Sequence, residues 1–263
     1  MSLYEGRDIA FKGVIWQYMS SIVSLLAGLF FYIFIVRLFS TQIIGVFSLL
    51  SAILLLFNSA FSLGLGTGLQ HFISYHLGKG EGGKIRAIIK EFALLGIAIS
   101  FLAFISLWIL SPIFSELFFH TYDFLDYIRL IDVELVATVF NSFIFAILLG
   151  LQKFKMQAEI SIINSGVAYG LVVPFLLLNY DPIVIILAWI VGYFLTTSIL
   201  LMVTYKTLKE ITADSEEKVK IWPVIIYSLP VFIASLVGFG STYVDRFIVS
   251  FLRISKNLIC YHI

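Results

Sequence analysis

Long apolar stretches separated by short polar segments form the dominant pattern of this 263-residue chain. Six of these stretches have no charged residue in their interior and only Glu134 at a rim; they are residues 13–36, 44–69, 92–113, 133–151, 160–178 and 183–204. A helix needs about 20 apolar residues to cross a hydrocarbon core of roughly 30 Å. The stretches are rich in Leu, Ile and Phe without strand-like alternation, so they predict membrane-spanning helices rather than a transmembrane β-barrel.

A seventh stretch, residues 223–252, differs because it carries the adjacent pair Asp245 and Arg246 near its far end. An ionisable group at mid-span costs at least about 2.5–3.5 kcal/mol, so it should face protein or water. Two interpretations stay open. Either the pair lies at the membrane interface, or Asp245 faces a cavity and senses a proton, a cation or a substrate. Arg37, which closes the first stretch on the same side, has the same ambiguity, and its pairing with Asp245 is a hypothesis.

These stretches predict an all-α integral membrane protein with about seven transmembrane helices. We expect one six-helix lobe at residues 1–204, a cytoplasmic linker at 205–222, and the seventh helix with the start of a second lobe at 223–263. The composition agrees, since 60% of the residues are hydrophobic and only 13% are charged. The first stretch is longer than a signal-peptide core of about 7–15 residues and lacks a small-residue cleavage pattern, so it should remain as a helix.

The basic residues are distributed unequally between the two sides of the predicted membrane. Before the seventh stretch, twelve Lys and Arg residues fall on the side of the N-terminus, whereas only Arg37 and Arg129 fall on the other side. The positive-inside rule therefore places the N-terminus in the cytoplasm and the end of the chain outside. We expect a multi-pass protein of the cell membrane that contacts membrane lipids and binds no nucleic acid.

Four amides lie inside the predicted spans: Gln17, Asn58, Asn141 and Asn164. Amides in such positions commonly tie helices together through bonds worth roughly 0.6–2 kcal/mol, but they can also line a hydrated cavity. With Arg37, Asp245 and Arg246 they form the set of candidate substrate or cavity residues.

Glycine and proline mark three places where the helices should be irregular. The run Gly-Leu-Gly-Thr-Gly at 64–68 ends a membrane span and lacks the preceding strand of a nucleotide-binding loop, so it predicts close helix packing or local unwinding. Pro174 and Pro230 lie within spans and each predicts a kink.

The basic segment 84–91 predicts an interfacial helix that leads into the third span and favours anionic headgroups.

Three segments carry a resemblance to a known family. The first reads Phe-Ile-Val-Arg-Leu-Phe-Ser at 34–40, followed by Ile-Gly-Val-Phe-Ser at 44–48. The second reads Phe-Ser-Leu-Gly-Leu-Gly at 61–66, and the third joins Ser-Leu-Pro at 228–230 to Tyr-Val-Asp-Arg-Phe-Ile at 243–248. In order and spacing they resemble the polysaccharide-flippase branch of the multidrug/oligosaccharidyl-lipid/polysaccharide exporter superfamily.

The resemblance implies export of lipid-linked saccharide units, carried on a polyprenyl phosphate, from the cytoplasmic to the outer leaflet by alternating access. It implies two lobes of six helices around a central cavity, with Arg37 and Asp245 at family positions and no cofactor. Family members usually continue through a second lobe, whereas this chain stops after its seventh stretch. A homodimer, a separate second-lobe partner and a truncated, non-transporting product therefore all remain as alternatives.

Two other functions are alternatives to the flippase. A multidrug or small-solute antiporter of the same fold is the first, although the spans contain few acidic residues for ion-coupled drug export. A membrane enzyme is the second, and its only candidate residues are His120, Asp123, Asp126 and Asp132, whose spacing matches no metal-binding motif. The lone cysteine, Cys260, excludes an internal disulfide framework and a cysteine-rich metal site. We therefore expect a transporter without enzymatic activity.

Overall fold

The computed structural model describes the backbone of residues 3–178, 182–211, 219 and 221–260, and most side chains from residue 11 to residue 246. Within these ranges the chain is helical and contains no β-strand. The helices are α1 (Leu3–Leu38), α2 (Thr41–Ser62), α3 (Leu65–Gly78), α4 (Gly82–Phe114), α5 (Leu125–Gly150), α6 (Phe154–Gly170), α7 (Val172–Leu178), α8 (Ile183–Glu210) and α9 (Trp222–Cys260), and a π-helical turn (Ser115–Phe119) extends α4.

The predicted all-α membrane protein is confirmed. Of the described helices, six are long and apolar enough to cross a membrane; these spans are Phe11–Leu38, Thr41–Ser62, Gly82–Phe119, Leu125–Gly150, Ile183–Glu210 and Trp222–Arg246. The predicted linker at 205–222 begins inside α8, and residues 212–218 and 220 lie outside the described part of the chain.

The predicted stretch 160–178 is interrupted rather than continuous. Its helix is divided at Leu171 into α6 and the short helix α7. Pro174 has no N–H to donate to the carbonyl of Gly170, and its ring would clash with that carbonyl in a continuous α-helix. The irregularity predicted at Pro174 is thus present as a helix break one turn before the proline, whereas α9 continues as a helix through Pro230.

Helix α5 forms the centre of the lobe and packs against α2, α3, α4, α6 and α8. In its most apolar window 61% of the residues are buried, compared with 11% for the corresponding windows of α1 and α9. Helix α1 packs mainly along α6, and α9 packs along α2 and α3. The core therefore lies around α5, and α1 and α9 are peripheral.

The glycine-rich run at 64–68 shows both the local unwinding and the close helix packing that the sequence predicts as alternatives. Leu63 and Gly64 have positive φ angles of 50° and 63°, and they separate α2 from α3. A Cβ atom on Gly64 would lie 2.8 Å from the carbonyl oxygen of Ser228 in α9, and one on Gly68 would lie 2.9 Å from that of Val224. The missing side chains let α3 approach the backbone of α9 directly.

The helix predicted at 84–91, leading into the third span, is present as part of a longer helix. These residues form the first turns of α4, which continues without interruption into the membrane span. Ile85, Ile88, Ile89 and Phe92 are all buried. Their spacing extends the core-facing stripe of α4 to the end of the bundle, so tertiary packing keeps this basic segment helical and in line with the span.

Candidate functional site

A cavity of about 270 Å³ lies inside the lobe between α2, α5, α6 and α8. Its polar lining consists of Ser51, Glu134, Asn164, Ser165, Tyr169 and Tyr193, and Trp189 contributes an indole ring. Helical spacing explains how each element presents these groups. Trp189 and Tyr193 are separated by four residues of α8, so they occupy one face of that helix.

Several polar atoms at this cavity are buried without a partner. The side chain of Glu134 is 4% exposed, and its Oε2 atom has no hydrogen-bond partner within the described residues. The same holds for Oδ1 of Asn164 and Nε1 of Trp189. A buried polar group without a partner costs about 1–3 kcal/mol. The walls of the cavity thus contain buried acceptors from two helices and a buried donor from a third, none of them paired within the described residues.

Two of the predicted amides belong to the region around α6. Asn164 lines the cavity, whereas Gln17 of α1 donates a hydrogen bond to the side chain of Gln157 in α6. Two turns further along α1, Ser24 accepts a hydrogen bond of 2.8 Å from the cavity residue Ser165. The bonds made by Gln17 and Ser24 hold α1 against the helix that carries one wall of the cavity.

The other two predicted amides do not line the cavity. Asn141 is 4% exposed in α5, and Asn58 is half-buried in α2. The Oδ1 atom of each is buried and makes no hydrogen bond to the described residues.

The three predicted charged residues lie away from the cavity. Arg246 donates from Nη1 to the carbonyl oxygen of Ser48 in α2, at 3.3 Å, and its guanidinium group lies over the ring of Tyr243. Asp245 is exposed and accepts a 2.8 Å bond from the backbone N–H of Arg246. Arg37 is exposed, and within the described residues no ion pair joins it to Asp245. Arg246 thus fastens α9 to α2.

Sequence reasoning missed the acidic residue of the cavity because it placed Glu134 at the rim of a span. Helix α5 begins at Leu125, nine residues earlier, so Glu134 lies more than two turns inside the helix. The signal was present, since Ile131 lies one turn before Glu134 and Leu135 lies beside it, and these apolar residues, four positions apart, indicate a buried face. The aromatic residues Tyr169, Trp189 and Tyr193 carried no comparable signal among so many apolar neighbours.

The residues considered for a membrane enzyme lie in different environments. His120, Asp123 and Asp126 are exposed, whereas Asp132 is fully buried in α5. Within the part of the chain that the structure describes, no three His, Cys, Asp or Glu side chains are arranged to hold a metal ion.

Two solved structures have a similar fold. A MOP superfamily transporter from Pyrococcus furiosus, described as having a binding pocket of reversed polarity, superposes with a TM-score of 0.70 at 15% identity over 90% of this chain and 54% of that one. A MATE protein crystallised in complex with MaD5 gives a TM-score of 0.65 at 16% identity over 89% of this chain and 54% of that one. The chain therefore spans about half the length of each.

The sequence comparisons agree with this fold. A search of curated protein sequences gives no significant match. The model of the MatE family matches residues 18–175, which is more than half of the chain and includes most of the cavity. This match supports the resemblance at the level of the superfamily. The chain belongs to the MatE family.

Proposed function

We propose that this chain forms one lobe of an alternating-access transporter in the cell membrane, and that its substrate is a lipid-linked saccharide moved from the cytoplasmic to the outer leaflet. The observation that carries the transporter part of this proposal is the MatE match over residues 18–175, to which the shared fold adds support. The flippase-like segments around Arg37 and Asp245 favour the saccharide branch.

The cavity supports a sugar as the group that is bound. Its lining combines the aromatic residues Tyr169 and Trp189 with the amide of Asn164, and sugars present both apolar faces and hydroxyl groups. Its volume of about 270 Å³ lies near the lower end for small-molecule sites, so it suits a terminal sugar while the prenyl tail stays in lipid. Binding would supply partners for polar atoms that have none within the described residues.

A second lobe would complete the transporter. Helices α1 and α9 are the least buried spans of the described chain, and this chain covers only 54% of each of the two similar structures. We propose that a second copy of this chain or a separate partner chain packs against α1 and α9, and that membrane lipids cover the remaining apolar surface. In this arrangement the N-terminus is cytoplasmic, as the basic loops predict.

A multidrug-type antiporter for small cationic solutes is the second candidate function. The observation in its favour is Glu134, whose buried carboxyl group lies at the cavity and whose Oε2 atom has no partner within the described residues. A carboxylate in a site of low dielectric attracts a cation much more strongly than it does in water.

Reconstitution of the chain into vesicles tests the proposal. A fluorescent polyprenyl-diphosphate saccharide in the inner leaflet should become accessible to an external quencher faster than in empty vesicles. Asn164→Ala and Trp189→Phe should each slow this step about fivefold or more, because each removes a hydrogen bond worth about 1 kcal/mol to the bound sugar.

Variants at exposed positions of α8 and α9 set the baseline for this experiment. Ser198→Ala and Trp222→Phe change exposed residues outside the cavity and should leave the rate unchanged. A rate no higher than in empty vesicles would overturn the saccharide proposal for this chain. Uptake of a fluorescent cation that depends on Glu134, without saccharide movement, would favour the antiporter.

A further inference from the structure

A second cavity, of about 700 Å³, lies at the end of the bundle between the first turns of α4 and the last turns of α8. We call it the α4–α8 groove. Its apolar lining comes from Ala87, Ile89, Ala93, Leu94, Leu208 and Val219. Its charged lining consists of three basic side chains, Arg86, Lys90 and Lys209, and one acidic side chain, Glu91. The groove therefore combines an apolar lining with an excess of basic side chains.

Arg86 holds the two sides of the groove together. Its Nη2 atom donates a 3.2 Å hydrogen bond to the carbonyl oxygen of Leu208, in the last turn of α8. Carbonyl groups in a last helical turn lack intrahelical partners, so the bond also caps α8. A guanidinium group has five N–H donors in a planar fork, and this bond uses one of them while it fixes the orientation of the group.

Lys209 is oriented by an aromatic neighbour. Its Nζ atom lies 4.6 Å from the ring centre of Tyr205, which is one turn earlier in α8 and also lines the groove. A tyrosine ring beside an ammonium group is a common arrangement where a protein meets the membrane interface. Arg86 and Lys209 thus present positive charge to the groove from opposite sides.

The surface that continues from the groove into the membrane is apolar on both helices. Leu94 and Ile97 of α4 are 64% and 56% exposed, and Leu201 and Met202 of α8 are 48% and 68% exposed. Both helices pack against α5, which lies behind them. An acyl chain can therefore lie along α4 and α8 while its headgroup stays at the basic end.

We propose that the α4–α8 groove binds the headgroup phosphate of an anionic phospholipid, of the phosphatidylglycerol type, with its acyl chains along α4 and α8. Arginine matches the geometry of a phosphate through two parallel hydrogen bonds, and basic pockets between membrane helices select anionic headgroups. The groove is separate from the inner cavity, so this inference does not depend on the identity of the transported substrate.

Native mass spectrometry of the full chain in detergent tests the proposal. We expect phosphatidylglycerol to bind at least about fivefold more tightly than phosphatidylcholine with the same acyl chains. Lys209→Ala should weaken phosphatidylglycerol binding about fivefold while leaving the bond between Arg86 and Leu208 in place, and Lys209→Arg should retain it. Arg86→Ala should weaken binding by at least as much.

Lys206→Ala is the matched control, since it removes the same charge from an exposed position of α8 that does not line the groove. The affinity of the Lys206→Ala variant for phosphatidylglycerol should stay at the wild-type value. Equal binding of the two lipids, or equal losses in Lys206→Ala and Lys209→Ala, would overturn the proposal. Displacement of the lipid by millimolar inorganic phosphate would also overturn it, because the site would then recognise a free anion rather than a phospholipid.

Discussion

The carboxylate of Glu134 is buried in α5, and its Oε2 atom has no hydrogen-bond partner within the described residues. A group of this kind lowers the stability of a fold, and proteins retain such groups where a ligand uses them. Asn164 and Trp189 present similar atoms to the same cavity from two other helices. At the scale of the residue, these polar groups should thus lower the free energy of unfolding while they serve to bind a ligand.

Replacement of Glu134 by leucine tests whether this residue lowers stability while supporting transport. We expect Glu134→Leu to raise the free energy of unfolding by about 1–3 kcal/mol, because it removes a buried polar group and keeps a similar volume. Thermal unfolding in detergent measures the change, and transport in vesicles should fall. Glu159→Leu, at an exposed position of α6, should change stability by less than about 0.5 kcal/mol. A lower melting temperature for Glu134→Leu would show that the carboxylate makes a stabilising contact.

The contact between α3 and α9 is the main feature at the scale of the elements. The break at Leu63 and Gly64 redirects the chain from α2 into α3, and Gly64 and Gly68 then face the carbonyl groups of α9. His71 of α3 stacks on Tyr227 of α9, with ring centres 4.5 Å apart. Because the backbones of α3 and α9 are in direct contact here, the position of α9 depends on glycine at positions 64 and 68.

Alanine at Gly64 should therefore destabilise the lobe. The left-handed conformation costs a non-glycine residue about 1–2 kcal/mol, and the new Cβ atom would lie 2.8 Å from backbone atoms of Ser228 and Phe232. We expect Gly64→Ala to lower the free energy of unfolding by at least about 2 kcal/mol, measured by thermal or denaturant unfolding.

Gly166→Ala is a control that should change the free energy of unfolding in the opposite direction. Gly166 lies inside α6, and a Cβ atom there would meet nothing within 4 Å. This variant should raise stability by about 0.5–1 kcal/mol, because alanine loses less backbone entropy than glycine in a helix. Equal effects of the two variants would contradict the close approach of α3 and α9.

At the scale of the whole molecule, the lobe buries α5 deeply and leaves α1 and α9 mostly uncovered. Phe30 of α1 is 69% exposed, and Phe101 of α4 is similarly exposed at 61%. The two positions are equally apolar, but the proposed second lobe would contact only the first.

Photo-crosslinking in membranes distinguishes the two surfaces. A benzoylphenylalanine at position 30 should give a crosslinked protein product, of twice the chain mass for a second copy or of another mass for a partner chain. The same group at position 101 should react with lipid only. Lipid adducts alone at both positions would contradict the proposed second lobe.

The sequence by itself determined the membrane character, the approximate spans and the irregular positions at Gly64 and Pro174. These features follow from local properties: the apolar length of a stretch, the φ freedom of glycine and the missing N–H of proline. The burial of Ile85 and Ile88 at the start of α4 was not predicted, because it depends on neighbours that are distant in the chain.

Only the tertiary structure decided which polar residues meet. Glu134, Asn164 and Trp189 come from α5, α6 and α8, and the helix packing brings them to one cavity. Arg37 and Asp245 remain exposed and without a mutual ion pair in the described chain, although the sequence made them natural candidates. Hydrophobic periodicity shows which side of a helix is buried, but the rotation and register of the packed helices determine which buried groups face each other.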